Sequence, residues 1–368
     1  MKILFCIESL HAGGKERQLI ELLTYLRAKG GYELFLVIMK EDIHFDKFIS
    51  LKIPYKIIER KLSKKDPFIF AEFYKAYKKF QPDIIHSWGS MVTFYSLPAK
   101  ILLKYKLLNF DIQDAPQRQI PVFSFRNIIT KINFIFSDFI IANSLAGLRA
   151  YNVKSVNAKV IHNGIVLDRI TQHSTKDKTR LKYNISTKYA VLMVASYSDF
   201  KKNKLFVEVA NKVCEMRSDI SFYSLGEGNK DLFNECKNNI KYNKNIVLLG
   251  RIKDVESLIN VCDIGVLFTN GEGISNAIME YMVFGKPVIA HGTGGTKELV
   301  KHKESGILLE NESVDEIANL VIELVDNPAR RMEMGLAGKK IIEENFTIDK
   351  MGLEFEKIYN MLYKKQII

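Results

Sequence analysis

The sequence predicts an α/β protein of two doubly wound parallel-sheet halves, and three observations carry that expectation. Short apolar runs alternate with amphipathic stretches along the chain. The alternation breaks over the polar segment Arg169–Lys188 (RITQHSTKDKTRLKYNISTK) and then restarts. At 368 residues the chain is long enough for two domains of ordinary size.

In the first half KILFCI (Lys2–Ile7), ELFLVIM (Glu33–Met39), DIIHS (Asp83–Ser87), FIIAN (Phe139–Asn143) and KVIHN (Lys159–Asn163) read as strands. Glu16–Lys29 and Pro67–Phe80 read as helices between them. In the second half the strands are AVLMVAS (Ala190–Ser196), ISFYSLG (Ile220–Gly226), NIVLLG (Asn245–Gly250), CDIGVLF (Cys262–Phe268) and PVIA (Pro287–Ala290). The expected division is a first domain over 1–168, a linker over 169–188 and a second domain over 189–346. The closing segment 347–368 has no strand of its own and is expected to pack back onto the first domain. Ligands of such sheets bind beyond the carboxyl ends of the strands, so the loops there are the places to search.

Hydrophobic residues make up 47% of the chain and there are only eight prolines, which excludes a disordered class. MKILFCI is too short for a signal h-region, and no apolar run is long enough to span a bilayer. The four cysteines are scattered, without a close pair or a histidine at metal spacing, which points to a reduced, cytoplasmic protein without a metal site. Residues 1–168 hold 25 Lys+Arg against 15 Asp+Glu, whereas the remainder hold 29 against 27. The positive excess therefore sits in the first half, where it suits an anionic membrane leaflet or a phosphorylated acceptor.

The most informative stretch is Thr269–Val300 (TNGEGISNAIMEYMVFGKPVIAHGTGGTKELV). Glu272 and Glu280 stand two helical turns apart, with a glycine turn at the first. Ser275 and Asn276 are good helix starters, so Ile274–Phe284 is expected to be helical and Gly285 to end it. A strand, a glycine loop and a helix N-terminus in that order form a site for a phosphate or for sugar oxygens. SYSDFKKNK supplies Lys201 and Lys202 at a helix entrance, where a lysine can neutralise a diphosphate leaving group. Gly13 and Gly14 in HAGGKERQ allow close approach of backbone to ligand. GEGN, beginning at Gly226, and Arg251 after NIVLLG can border a nucleotide base. His86 ends DIIHS with Trp88 two residues on and is a candidate catalytic histidine, with a structural histidine as the alternative. The segment Arg60–Phe80 interleaves six lysines with six Phe and Tyr residues, which fits either a membrane-surface helix or a core-facing aromatic stripe. GxGxxG, GxSxG, P-loop, HExxH and D-x-D patterns are all missing, which argues against dehydrogenase, hydrolase, kinase-like and metal-dependent transfer classes. No nucleic-acid module is recognisable.

Taken in order along the chain, HAGGKE, PDIIHSWG, IIANS, KVIHNG, ASYSDFKKN, GEG, NIVLLGRI and GEGISNAIMEYMVFGKPVIAHGTGGTKELV resemble the family 4 retaining glycosyltransferases, whose E-x7-E block the last of these matches. The resemblance covers nearly the full chain. It implies the GT-B fold, two Rossmann-like domains facing across a cleft, with nucleotide-sugar binding in the second domain and acceptor binding in the first. By the same resemblance Glu280 would bind ribose hydroxyls and Glu272 would face the donor sugar. Gly273, Ile274, Ser275 and Asn276 would offer backbone N–H groups, and Lys201, in preference to Lys202, would meet the diphosphate. Gly13 and Gly14 would border the diphosphate and the acceptor, and His86 aligns with the first of two family histidines. The sequence departs from the family where an arginine precedes the phosphate lysine, here Ser196 or Tyr197. It departs again at NFDIQDAPQ, which offers Asp111, Gln113 and Asp114 in place of a histidine.

The resemblance thus implies metal-independent, cofactor-free transfer from a nucleotide sugar, a UDP-sugar by preference, to a saccharide hydroxyl. The acceptor is expected to be lipid-linked and presented at the inner face of the plasma membrane. Sugar-nucleotide 2-epimerases share the architecture and stand as the alternative, together with a non-catalytic nucleotide-sugar-binding homologue.

Overall fold

The computed structural model describes residues 1–11, 13–62, 66–117, 124–171 and 173–367. The chain divides into two compact units, Met1–Gly164 with Ile348–Ile368, and Ile165–Thr347.

The first unit is built on seven parallel strands: β1 (Lys2–Ile7), β2 (Glu33–Ile38), β3 (Tyr55–Ile57), β4 (Ile84–Trp88), β5 (Lys106–Ile112), β6 (Phe139–Ala142) and β7 (Ala158–Val160), in the order β3-β2-β1-β4-β5-β6-β7. The continuous apolar reading of β1 has a simple cause. Ile3, Phe5 and Ile7 enter one hydrophobic core, and Leu4 and Cys6 enter another on the opposite face of the sheet. The first core is closed by Leu19, Leu22, Leu23 and Leu26 of the helix Gly14–Lys29 and by the closing helix Ile348–Ile367. Met351, Phe355, Ile358, Tyr359 and Leu362 of that last helix are buried at helical spacing. The second core receives Ile69, Phe73, Ala76 and Tyr77 of the helix Phe68–Phe80. Of the two readings of the Arg60–Phe80 stretch, the core stripe is therefore the one the described residues follow; residues 63–65 lie outside them.

The second unit carries six parallel strands: β8 (Tyr189–Val194), β9 (Ile220–Leu225), β10 (Ile246–Gly250), β11 (Ile264–Leu267), β12 (Val288–His291) and β13 (Gly306–Leu309), in the order β10-β9-β8-β11-β12-β13. Three strands were not expected. β5 is interrupted by Asn109 and Asp111, whereas β3 and β13 are short edge strands. The expected linker also needs correcting. Residues 169–188 belong to the second unit and contain the helix Lys176–Lys182, held in part by Ser174 N–H donating to Ser257 Oγ at 2.8 Å. The unit boundary lies four residues earlier than expected, after Gly164, because Ile165 N–H donates to Phe346 O at 2.8 Å within the second unit.

Candidate functional site

In the second sheet the strand order reverses between β8 and β11, which are hydrogen-bonded neighbours although distant in sequence. Ligands of open α/β sheets bind at such a switch point, outside the carboxyl ends of the strands. The two loops that leave it carry Lys201 and Glu272. Backbone bonds fix them together: Lys202 N–H donates to Phe268 O at 2.9 Å and Asn270 N–H to Phe200 O at 2.9 Å. Thr269, fully buried, adds a hydroxyl bond to Phe200 O at 3.1 Å. On this frame Lys201 Nζ and Glu272 Oε2 form an ion pair, with the two side chains only 16% and 22% exposed. Lys202 is directed elsewhere and pairs with Glu312, holding that carboxyl below its usual range. The pairing separates two lysines that sequence left adjacent.

The helix after Glu272 runs Asn276–Val283, two residues shorter at its start than expected, with Ser275 as its extended N-cap. Gly285 follows the helix with φ of +67°, the left-handed conformation its sequence position demands. Gly273, Ile274 and Ser275 are buried and Asn276 is half-buried, so the positive end of the helix dipole faces the Glu272 loop. Glu280 is only 4% exposed on the inner side of the same helix. Tyr281 anchors the helix to the sheet, its Oη accepting Val194 N–H at 2.6 Å.

The loops after β9 and β10 adjoin the β8 loop. Gly226 N–H donates to Gly250 O at 2.9 Å, and Tyr197 N–H to Glu227 O at 3.1 Å. Gly226 has φ of +144°, and a Cβ there would lie 2.0 Å from Ala195 O, so only glycine permits this approach. Arg251 meets Glu227 at 3.5 Å, which joins two candidate segments into one edge of the rim.

The loop after β12 carries none of the site residues expected from the sequence, yet it completes the rim. Gly295 N–H donates to Glu272 O at 2.8 Å, and His291 Nδ1 accepts Thr269 N–H at 3.3 Å. His291 Nε2, Thr293 Oγ1 and Thr296 Oγ1 are buried without a hydrogen-bond partner. At the mouth of a strand-end cleft such atoms can receive a ligand's polar groups or an ordered water. Burial, reinforced by the charge of Lys202, pushes His291 down to about 4, so it is neutral at physiological pH. A strand-terminal histidine followed by GTGGT was the signal available in the sequence.

In the first unit the corresponding switch point lies between β1 and β4. Gly13 is the N-cap of the helix Gly14–Lys29, and a Cβ on Gly13 would lie 2.1 Å from Glu16 Oε2. Beside it Lys15 bonds Glu8 at 2.7 Å. Burial works against the charge of Lys15, and the carboxylates of Glu8 and Glu16 outweigh it, holding its pKa up. Asp111 is pushed up to about 6 by burial and by the charge of Glu8. Burial likewise raises Glu16.

His86 requires correction. It has no exposed surface, its Nδ1 meets Tyr359 Oη at 2.8 Å, and its ring sits among Phe5, Trp88, Phe110 and Phe355. Burial lowers its pKa well below the usual histidine value. Every residue of β4 is buried, so a histidine on it is a core residue and not a group that touches substrate.

Residues 188–327 match the family model described as glycosyl transferases group 1. The chain is 27% identical over 218 residues to a GDP-mannose-dependent monoacylated alpha-(1-6)-phosphatidylinositol monomannoside mannosyltransferase of Corynebacterium glutamicum, covering 54% of each chain. It is 27% identical over 222 residues to a UDP-Gal:alpha-D-GlcNAc-diphosphoundecaprenol alpha-1,3-galactosyltransferase of Escherichia coli, covering 56% of this chain and 55% of that one. The matched segments thus span about half the length of these curated relatives. The fold is similar to that of Anabaena HepE in complex with UDP and glucose, with a TM-score of 0.85 at 19% identity over 98% of this chain and 99% of that one. The architecture is GT-B.

Proposed function

We propose, from the premise that the chain belongs to the family 4 glycosyltransferases, that it moves a sugar from a nucleotide sugar to a saccharide hydroxyl with retention of configuration and without a metal. The observation that carries this reading is the Lys201–Glu272 pair at the β8/β11 switch point, beside a helix N-terminus. A diphosphate that takes over Lys201 frees Glu272 to face the sugar, and the ammonium then stabilises the charge that develops as the sugar–phosphate bond breaks. The acceptor oxygen bonds the anomeric carbon on the face the diphosphate leaves, and its proton passes to the departing phosphate oxygen. Glu280 holds the ribose. Arg251 borders the base, and the orphaned His291, Thr293 and Thr296 atoms receive donor oxygens.

We take the donor to be a UDP-sugar, a reading supported by the UDP in the HepE complex and the UDP-Gal in the name of the E. coli relative. The Corynebacterium relative, named for GDP-mannose, makes GDP-sugars the comparison to run. Both relatives' names specify lipid-linked acceptors, which supports a lipid-linked saccharide here, met at the cytoplasmic face of a membrane. Among the described residues no helix is long and apolar enough to cross a membrane. The helix Phe125–Phe136 instead exposes Phe125, Ile128, Ile135 and Phe136 alongside Arg126 and Lys131, and it contains no acid, which suits an anionic interface.

The test is a thermal-shift screen across UDP- and GDP-sugars, followed by NMR of the product's anomeric centre. A shift with one donor and an α-linked product from an α-donor is expected. An inverted product overturns the retaining mechanism, and epimer release without acceptor makes the protein an epimerase. Sedimentation with anionic liposomes addresses the membrane reading. Binding that Phe125→Ser with Ile135→Ser abolishes is expected, and indifference to anionic lipid would sink it.

A further inference from the structure

We infer that His11, Asp42 and His44 form a binding site for a first-row divalent transition metal, of which zinc is the natural occupant. The site lies within the first unit, on the segments that follow β1 and β2. One ligand atom from each of the three residues lies within 4.8 Å of the other two. His44 Nε2 and Asp42 Oδ1 are 2.6 Å apart, and the His11 and His44 rings have centroids 4.4 Å apart.

The backbone explains why these side chains converge. Leu10, after β1, and Ile43, after β2, form an isolated parallel bridge. Leu10 N–H donates to Asp42 O at 3.2 Å, and His44 N–H donates to Leu10 O at 3.1 Å. Asp42 and His44 flank the bridged Ile43 in an extended segment, so their side chains leave on the same side. His11 follows the opposite partner of the bridge. The two segments are thus clamped by main-chain bonds independent of any side-chain contact, which is the preorganisation a metal site needs.

The distances suit a metal after small rotamer adjustments. For three atoms no more than 4.8 Å apart there is a point that lies within roughly 2.8 Å of all of them, against about 2.0–2.2 Å for zinc–nitrogen and zinc–oxygen bonds. Two imidazoles and one carboxylate select zinc, cobalt or nickel over magnesium and calcium, which take oxygen sets. His44 is exposed while His11 and Asp42 are half-buried, so the remaining coordination positions are open to water. The bound metal would pin the loop after β1 to the loop after β2, and so hold the chain that enters Gly13 and the helix behind it.

The experiment is calorimetric titration of the full chain with Zn²⁺ and, separately, Mg²⁺, together with NMR of the seven histidines on adding Co²⁺. One zinc per chain is expected, with no response to magnesium. Asp42→Asn and His44→Gln should each weaken zinc binding by about two orders of magnitude while leaving the metal-free melting curve unchanged. Cobalt should shift the ring resonances of His11 and His44 most strongly, a readout on the wild-type chain that does not depend on either variant folding. Failure to bind zinc stoichiometrically, wild-type zinc affinity in both variants, or cobalt shifts centred on other histidines would overturn the assignment.

Discussion

In the first unit the carboxyl ends of β1 and β5 and the first turn of the helix Gly14–Lys29 gather Glu8, Lys15, Glu16 and Asp111, three carboxylates around one ammonium. In the second they gather Lys201 with Glu272, Lys202 with Glu312 and Arg251 with Glu227, each cation matched to one anion. The sheets share a plan, a parallel order reversing at one point, and differ in how their charge is held. Burial in the first unit raises Asp111 toward neutrality, whereas in the second each cation is balanced by one carboxylate. A paired lysine can exchange its carboxylate for a diphosphate. An acid-rich loop set repels phosphate and favours uncharged hydroxyls. The contrast agrees with a donor held by the second unit and an acceptor hydroxyl met by the first.

The largest effect that can break this contrast is on turnover. Glu272→Gln should lower kcat by about 10²–10³-fold while donor Kd changes little, as for removal of a group acting in the transition state. Lys201→Met should weaken donor binding as well. Glu8→Gln should leave donor affinity alone and raise the acceptor KM. If Glu8→Gln weakens UDP-sugar binding as much as Lys201→Met does, the division of labour between the units is wrong.

The next effect is structural and confined to the second unit. Gly226→Ala forces a Cβ against Ala195 O at a φ that L-residues rarely adopt, and should destabilise that unit by about 2–4 kcal/mol. Denaturant unfolding followed by hydrogen exchange should show the loss in β8–β10 and not in β1–β7. Loss of protection in both units alike would mean that they unfold as one.

How far the sequence reveals this follows from what each signal means physically. Strands buried on both faces were legible as apolar runs, and the Glu272 loop was legible because glycine, helix starters and a second strand follow in sequence. Lys201 and Glu272, far apart in the chain, were each legible, but their pairing was not. His86 was misread because a histidine at a strand end looks the same whether it caps a site or, as here, meets Tyr359 inside a core. The Arg60–Phe80 stretch was left open between two readings for a related reason: helical spacing shows that one face is apolar but not what covers it. The exposed stripe on Phe125–Phe136 passed unnoticed because that helix is apolar on both sides, with Ile129 buried and Ile128 exposed.

A smaller effect appears in pH. His291 titrates at about 4 when folded, below the usual 6.5, so the unfolded chain binds its proton first as pH falls. Stability of the second unit should therefore drop between pH 6.5 and 4, by up to about 3 kcal/mol, and His291→Gln should remove that slope. Asp111 has the opposite sign. Its folded value is raised from 3.8 to about 6, so its contribution is present below pH 3.8 and is lost as pH rises through 6. Buried His86 pulls the first unit the same way as His291, so the Asp111 contribution is read as the difference between wild type and Asp111→Asn across pH. That difference should be greatest above pH 6, with the variant the more stable. A flat difference would mean that Asp111 is solvated and that the acidic loop set does not store charge repulsion.

The smallest effect discriminates most finely between a structural and a binding role. Arg251 and Glu227 are 37% and 44% exposed and 3.5 Å apart, so their pairing should contribute no more than about 1 kcal/mol to stability. Arg251→Ala should therefore leave melting of the second unit almost unchanged. If Arg251 borders the base, the same variant should weaken UDP several-fold while sparing inorganic diphosphate, which has no base to contact. Equal weakening of both ligands would place Arg251 on the phosphates with Lys201, and unchanged affinity for both would leave it a surface residue. The outcome decides whether the cation-matched edge of the second unit extends past β8 and β11 to β10, or ends at the switch point.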